Sequence, residues 1–154
     1  MAAFIFDASA IVKRYVTEIG TAWVRMLTDP AAGHEIFLTR ITRVEVTAAV
    51  TRRGRGGLLT GPSATAILSQ FRYNAAHQYN ILEIIPALLT EAERLAEVHA
   101  LRGYDAVQLA ATMSLHQGRS AAGLSALTFI SSDGELNTAA RAEGLTVDDP
   151  NAHP

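Results

Sequence analysis

The sequence predicts an α/β fold, a central, mostly parallel sheet with helices on both faces. Three observations carry that expectation. Short apolar runs alternate along the chain with longer stretches of helical period. Two of these runs stop abruptly at polar residues: 2–6 ends at Asp7-Ala8-Ser9, and 127–130 ends at Ser131-Ser132-Asp133. The segments between strands are long enough to hold helices, as parallel pairing requires.

Bulk properties narrow the class. With 154 residues, 49% hydrophobic and 18% charged, the chain can bury a real core and reads as globular. We expect a single domain over 1–148 and a short C-terminal tail over 149–154. There is no cysteine, which excludes disulfides, thiolate zinc sites and cysteine nucleophiles together, and suits a cytoplasmic protein. No apolar run approaches a membrane span: the N-terminal one meets Asp7 within a few residues, and 81–89 is broken by Glu83 and Pro86. The net charge of -2 gives no global basic field, so any nucleic-acid contact needs a local patch. Lys13 is the only lysine; the other cations are arginines.

Taken in order, 2–6 is the first strand. Residues 8–16 have helical character, with Ile11 and Val12 on one face, and 19–27 reads as a second helix closed by Asp29-Pro30. Residues 35–39 form a second strand. The next helix covers 41–53, carries Glu45 in its second turn, and is expected to break at Gly54-Arg55-Gly56-Gly57. Residues 63–79 are helical again, with Ile67, Leu68, Phe71 and Ala75 at helical spacing. An apolar strand over 81–85 is read as closed by Pro86. Thr90-Glu91-Ala92-Glu93 has the pattern of a capping box, opening a helix to about Arg102. Asp105 starts a further helix to about Gln117, and 118–125 is a small polar loop. Residues 127–130 are a strand, 135–143 the last helix, and 145–147 a final short strand.

Four acids fall where such a topology would gather them. Asp7 and Asp133 end apolar strands, Asp105 opens a helix, and Glu45 lies on the helix after the second strand. Each alone has a structural explanation, since Asp7, Asp105 and Asp133 suit helix caps and Ser132 with Glu135 forms a second capping-box pattern. Together they point further. Strand ends of a parallel sheet share one rim, and like charges gathered there repel unless a cation joins them. Oxygen-only ligands select a hard ion, Mg²⁺ or Mn²⁺, which suits phosphodiester hydrolysis with no protein nucleophile. A phosphoacceptor domain would want an acid after a central strand, yet 52–82 contains no Asp or Glu. A haloacid-dehalogenase-like phosphatase needs a second aspartate where Ser9 stands. For phosphate contact, Arg52, Arg53 and Arg55 form the best basic cluster, with Lys13 and Arg14 as a second candidate.

Four segments then add up to a pattern: Asp7-Ala8-Ser9 after the first strand; Thr42-Arg43-Val44-Glu45-Val46; Leu101-Arg102-Gly103-Tyr104-Asp105-Ala106-Val107-Gln108-Leu109-Ala110; and Phe129-Ile130-Ser131-Ser132-Asp133. In this order, over the whole chain, they resemble the PIN domain, and more narrowly the VapC ribonuclease toxins of toxin–antitoxin pairs. The resemblance implies a PIN-like three-layer α/β/α sandwich and a Mg²⁺-dependent endoribonuclease in which Mn²⁺ substitutes. It implies Asp7, Glu45, Asp105 and Asp133 as the catalytic quartet, with Asp7 and Asp105 on the metal and Glu45 and Asp133 direct or through water. Ser9 and Ser131 match the supporting polar positions. The implied partners are RNA, a second copy in a homodimer, and a small VapB-like antitoxin in a hetero-oligomer. The alternative is a catalytically silent PIN domain that binds RNA or protein. Gln108 stands where many relatives carry histidine, and Asn137 where some carry a further acid.

Overall fold

The computed structural model describes residues 1–154. Five strands, β1 (Ala3–Phe6), β2 (Glu35–Thr39), β3 (Asn80–Leu82), β4 (Leu127–Ile130) and β5 (Thr146–Asp148), form one sheet in the order β3-β2-β1-β4-β5. Every neighbouring pair is parallel, so the sheet expected to be mostly parallel is wholly so. The chain begins in the middle, winds outward to β3, then crosses back to β4 and on to β5. The order therefore reverses between β1 and β4, and the crevice beyond their C-terminal ends is where open α/β sheets place their sites.

Seven helices cover the sheet: α1 (Ala8–Ile11), α2 (Thr21–Leu27), α3 (Arg40–Arg55), α4 (Gly61–His77), α5 (Pro86–His99), α6 (Gly103–Ala121) and α7 (Gly134–Ala142). Strand alternation divides the core into two layers. Ile5, Phe37 and Phe129 point to one face, where Leu95, Leu109 and Leu136 of α5, α6 and α7 cover them. Phe6, Leu38 and Ile130 point to the other, against Ile11, Val24, Val46 and Phe71 of α1 to α4. The result is a three-layer α/β/α sandwich.

Several boundaries differ from the sequence expectations. β3 stops at Leu82, and Pro86 opens α5 rather than closing a strand, because proline at the first helical turn has no amide to leave unpaired. Thr90 consequently lies inside α5 and caps nothing. Gly54 does not break α3: a Cβ there would meet Ala64 Cβ at 3.3 Å, so the glycine admits close approach of α4. α6 runs through Gly118 to Ala121, because Arg119 is buried near its end and donates to Glu35 (2.8 Å) and to the Ser125 carbonyl (3.1 Å). Residues 149–154, expected as a tail, dock on the body. Pro150 is buried in a short 3-10 turn, and the His153 ring stacks on Trp23 at 4.1 Å.

Candidate active site

The rim at the C-terminal ends of the strands collects the four acids for a topological reason. Helices return antiparallel to the strands, so their first turns start at the same rim. Asp7 directly follows β1 and Asp133 follows β4. Glu45 is in the second turn of α3, and Asp105 in the first turn of α6.

Asp7 is 6% exposed and held from three sides. Ser9 Oγ donates across both carboxylate oxygens (2.8 and 2.9 Å), and Ser131 Oγ donates to Oδ2 (2.8 Å). The Ala10 amide donates to Oδ1 at 3.0 Å, which makes Asp7 the N-cap of α1. Both serines also accept an amide from the turn after β4, Ser9 from Ser132 (2.9 Å) and Ser131 from Asp133 (3.0 Å). Two hydroxyls thus stitch the end of β1 to the end of β4. Asp133 is the N-cap of α7, accepting from the Leu136 amide at 3.0 Å, so Ser132 is not the cap. Asp105 is not a cap either: α6 opens behind Arg102 with no side-chain cap.

The electrostatics are those of uncompensated acids. Burial pushes Asp7 up to about 6; the hydrogen bonds from Ser9, Ser131 and Ala10 oppose this, and the charge of Asp133 adds to it. Burial, then the charges of Asp7 and Asp105, push Glu45 up to about 7. Asp105 is raised by burial and by Asp133, with Arg102 acting against them. None of the four is in an ion pair.

These residues suit a hard divalent cation. Their donors are carboxylate oxygens, their mutual repulsion awaits a positive charge, and two buried oxygens beside them, Ser132 Oγ and Asn137 Oδ1, have no protein partner and can take water. No three acids or histidines come together closely enough to hold a metal ion between them. A cleft of about 310 Å³ lined by Glu45, Arg102, Gly103, Tyr104 and Asp105 opens at this rim, with the Tyr104 ring exposed.

Sequence reasoning missed a second polar cluster. Gln108 Oε1, fully buried on α6, accepts from Thr39 Oγ1 (2.9 Å) and Thr42 Oγ1 (3.0 Å) at the start of α3. It ties the helix of Glu45 to the helix of Asp105. The available signal was Thr39-x-x-Thr42 at a strand end, a helix-capping pattern whose long-range partner no local rule supplies.

The basic candidates fare unevenly. Lys13 is buried, with Nζ on Glu18 (3.2 Å) and Asn151 Oδ1 (3.1 Å), so it is no surface cation. Arg14 is spent on Gln78 Oε1 (2.8 Å) and the Tyr79 hydroxyl (2.6 Å). Arg53 pairs with Glu18. Arg52 and Arg55 are exposed.

No family model matches the chain. Two curated proteins of Mycobacterium tuberculosis do: ribonuclease VapC45 and ribonuclease VapC49 are each 34% identical over 144 residues, covering 92% of this chain and 92% of their own. Among solved structures, the sarcin-ricin-loop-cleaving toxin VapC20 of the same organism superposes with a TM-score of 0.63 at 13% identity, over 98% of this chain and 99% of that one. A toxin–antitoxin complex from Klebsiella pneumoniae gives 0.60 at 18% identity, over 95% and 96%. These two show the same fold. The identity and coverage of the curated relatives go further: the chain belongs to the VapC ribonuclease family.

Proposed function

We propose that the chain is a metal-dependent endoribonuclease toxin, hydrolysing RNA phosphodiester bonds and held inactive by a small VapB-like antitoxin. The observation that carries this reading is the convergence of Asp7, Glu45, Asp105 and Asp133 on one rim without a cationic partner, in a member of a ribonuclease family. Asp7 and Asp105 would hold Mg²⁺, for which Mn²⁺ substitutes, and Glu45 and Asp133 would act directly or through water. Bound there, the ion would neutralise phosphate charge and acidify a water. The chain's own contribution is placement. Ser9 and Ser131 fix both oxygens of Asp7, and the Gln108 tie sets Glu45 against Asp105. With its pKa raised to about 7, Glu45 is only partly ionised at neutrality, and a bound cation would favour its carboxylate form. Exposed Arg52 and Arg55 supply phosphate contacts, and the acid rim can receive an arginine from an antitoxin. A homodimer and a toxin–antitoxin hetero-oligomer complete the assembly, in the cytoplasm.

The test is cleavage of a broad RNA set by antitoxin-free protein, with Mg²⁺ or Mn²⁺ and with EDTA. We expect metal-dependent cutting that Asp7→Ala and Asp105→Ala each reduce by at least about 100-fold with the fold retained. Cutting that survives in either variant overturns the site assignment. A folded wild type that binds RNA but cuts nothing would replace the enzyme by a silent binding module.

A further inference from the structure

Most cations of this molecule are committed to internal partners, as Lys13, Arg14, Arg53 and Arg119 show. One cleft gathers most of the cations that are not. It occupies about 680 Å³ between α3 and α4 and is lined by five arginines and no acid. Arg43, Thr47, Thr51 and Arg55 fall on one four-residue row of α3, and Arg40 and Arg52 end the adjacent row. Arg72 of α4 closes the far wall. Arg40 engages Glu83. Arg43, Arg52, Arg55 and Arg72 make no side-chain hydrogen bond or ion pair within the chain, and all but Arg43 are exposed.

We infer that this cleft is a phosphate track, binding the sugar–phosphate backbone of RNA on one side of the cut; the inference rests on the ribonuclease reading. Free guanidinium forks match phosphate oxygens in pairs. At 1.5 Å per residue, about 18 Å of helix axis separates Arg43 from Arg55, enough to meet several phosphates in succession. The track shares α3 with one of the acids: Glu45 stands on the row next to that of Arg40 and Arg52. It also answers a problem posed by the rim, where clustered carboxylates repel the phosphates they must receive. A second copy of the chain is a poor occupant, since a two-fold interface here would set uncompensated arginines against each other. Backbone contacts carry no base identity, so the track supplies affinity and register.

The test uses the full, antitoxin-free chain in EDTA with a fluorescein-labelled single-stranded RNA of about 12 nucleotides, its anisotropy followed from about 50 to 200 mM salt. We expect the triple variant Arg52→Gln/Arg55→Gln/Arg72→Gln to lower the slope of log affinity against log salt by about 2, near 0.7 per lost contact, and to weaken binding at least tenfold at low salt. Arg43→Gln should lower it further, and Arg141→Gln, a surface change on α7, should not. In Mg²⁺ the triple variant should raise KM and keep kcat. An unchanged slope overturns the track, while loss of cutting in Asp105→Ala would still uphold the nuclease. A slope that falls as expected in a protein that never cuts upholds the track and removes the nuclease. Retained RNA binding with lost binding of a poly-glutamate peptide would assign the cleft to an acidic protein and overturn the proposal.

Discussion

At the scale of the residue, Asp7 does two jobs with one carboxylate. It caps α1 and anchors the rim, so the structural and the functional readings of this residue are compatible. Its burial has a consequence for stability. A carboxyl whose pKa is raised on folding binds its proton more tightly in the native state than in the unfolded chain. Stability is then highest below the unfolded value, falls as pH rises toward the native value, and levels off above it. For Asp7 that window runs from about 4 to about 6, and Glu45 extends it to about 7. In EDTA, thermal unfolding should therefore show wild type losing a few kcal/mol between pH 4 and 7 relative to Asp7→Asn. Mg²⁺ or Mn²⁺ should raise the midpoint more at pH 7.5 than at pH 5, because the ion competes with those protons. Equal stabilisation at both values would separate the ion from the acids.

At the scale of the element, α3 and α6 matter most, because each brings one acid to the rim in its first turns. Their relative placement depends on Gln108 reaching Thr39 and Thr42. Gln108→Leu keeps the volume and removes the acceptor shared by two buried hydroxyls, leaving them only each other at 3.0 Å. We expect a loss of about 1–3 kcal/mol in denaturant unfolding and a fall in kcat with little change in KM. A variant with reduced stability and full kcat would make Gln108 a packing residue only. Elements were legible in the sequence where one period dominated: β2 and β4 stand where apolar runs placed them. Boundaries failed where a residue has two meanings. Pro86 both ends strands and begins helices, and the choice fell to β2, which offers β3 pairing partners only up to Leu82. Gly54 usually marks a break, but here the nearness of α4 gives the missing side chain a use.

At the scale of the whole molecule, the reversal of strand order between β1 and β4 creates the crevice, and the last residues brace the layer beside it. Gly20 has φ +85°, and a Cβ there would lie 2.3 Å from the Pro150 carbonyl oxygen. Gly20→Ala should strain the backbone and lift residues 149–154 off α2. We expect the thermal midpoint to fall by at least about 5 °C, and Trp23 fluorescence to change as the His153 ring leaves it. An unaltered midpoint would show that this segment adds nothing to the body.

The sequence by itself determined the alternation of strands and helices, a parallel sheet with helices on both faces, and which acids stand at strand ends, because these follow from local period and from where apolar runs stop. Glu45 and Asp105, which lie on helices, joined Asp7 and Asp133 as an ordered set through the resemblance of their segments to the PIN domain. Only the tertiary structure decided which polar groups are spent and which are free. Lys13 and Arg52 read alike in the chain, yet one is buried on Glu18 and Asn151 and the other faces an acid-free cleft. Partners a hundred residues apart, such as Ser131 and Asp7, are likewise set by packing. Burial, pairing and the shifts of Asp7 and Glu45 depend on what lies across space, and no spacing along the chain encodes that.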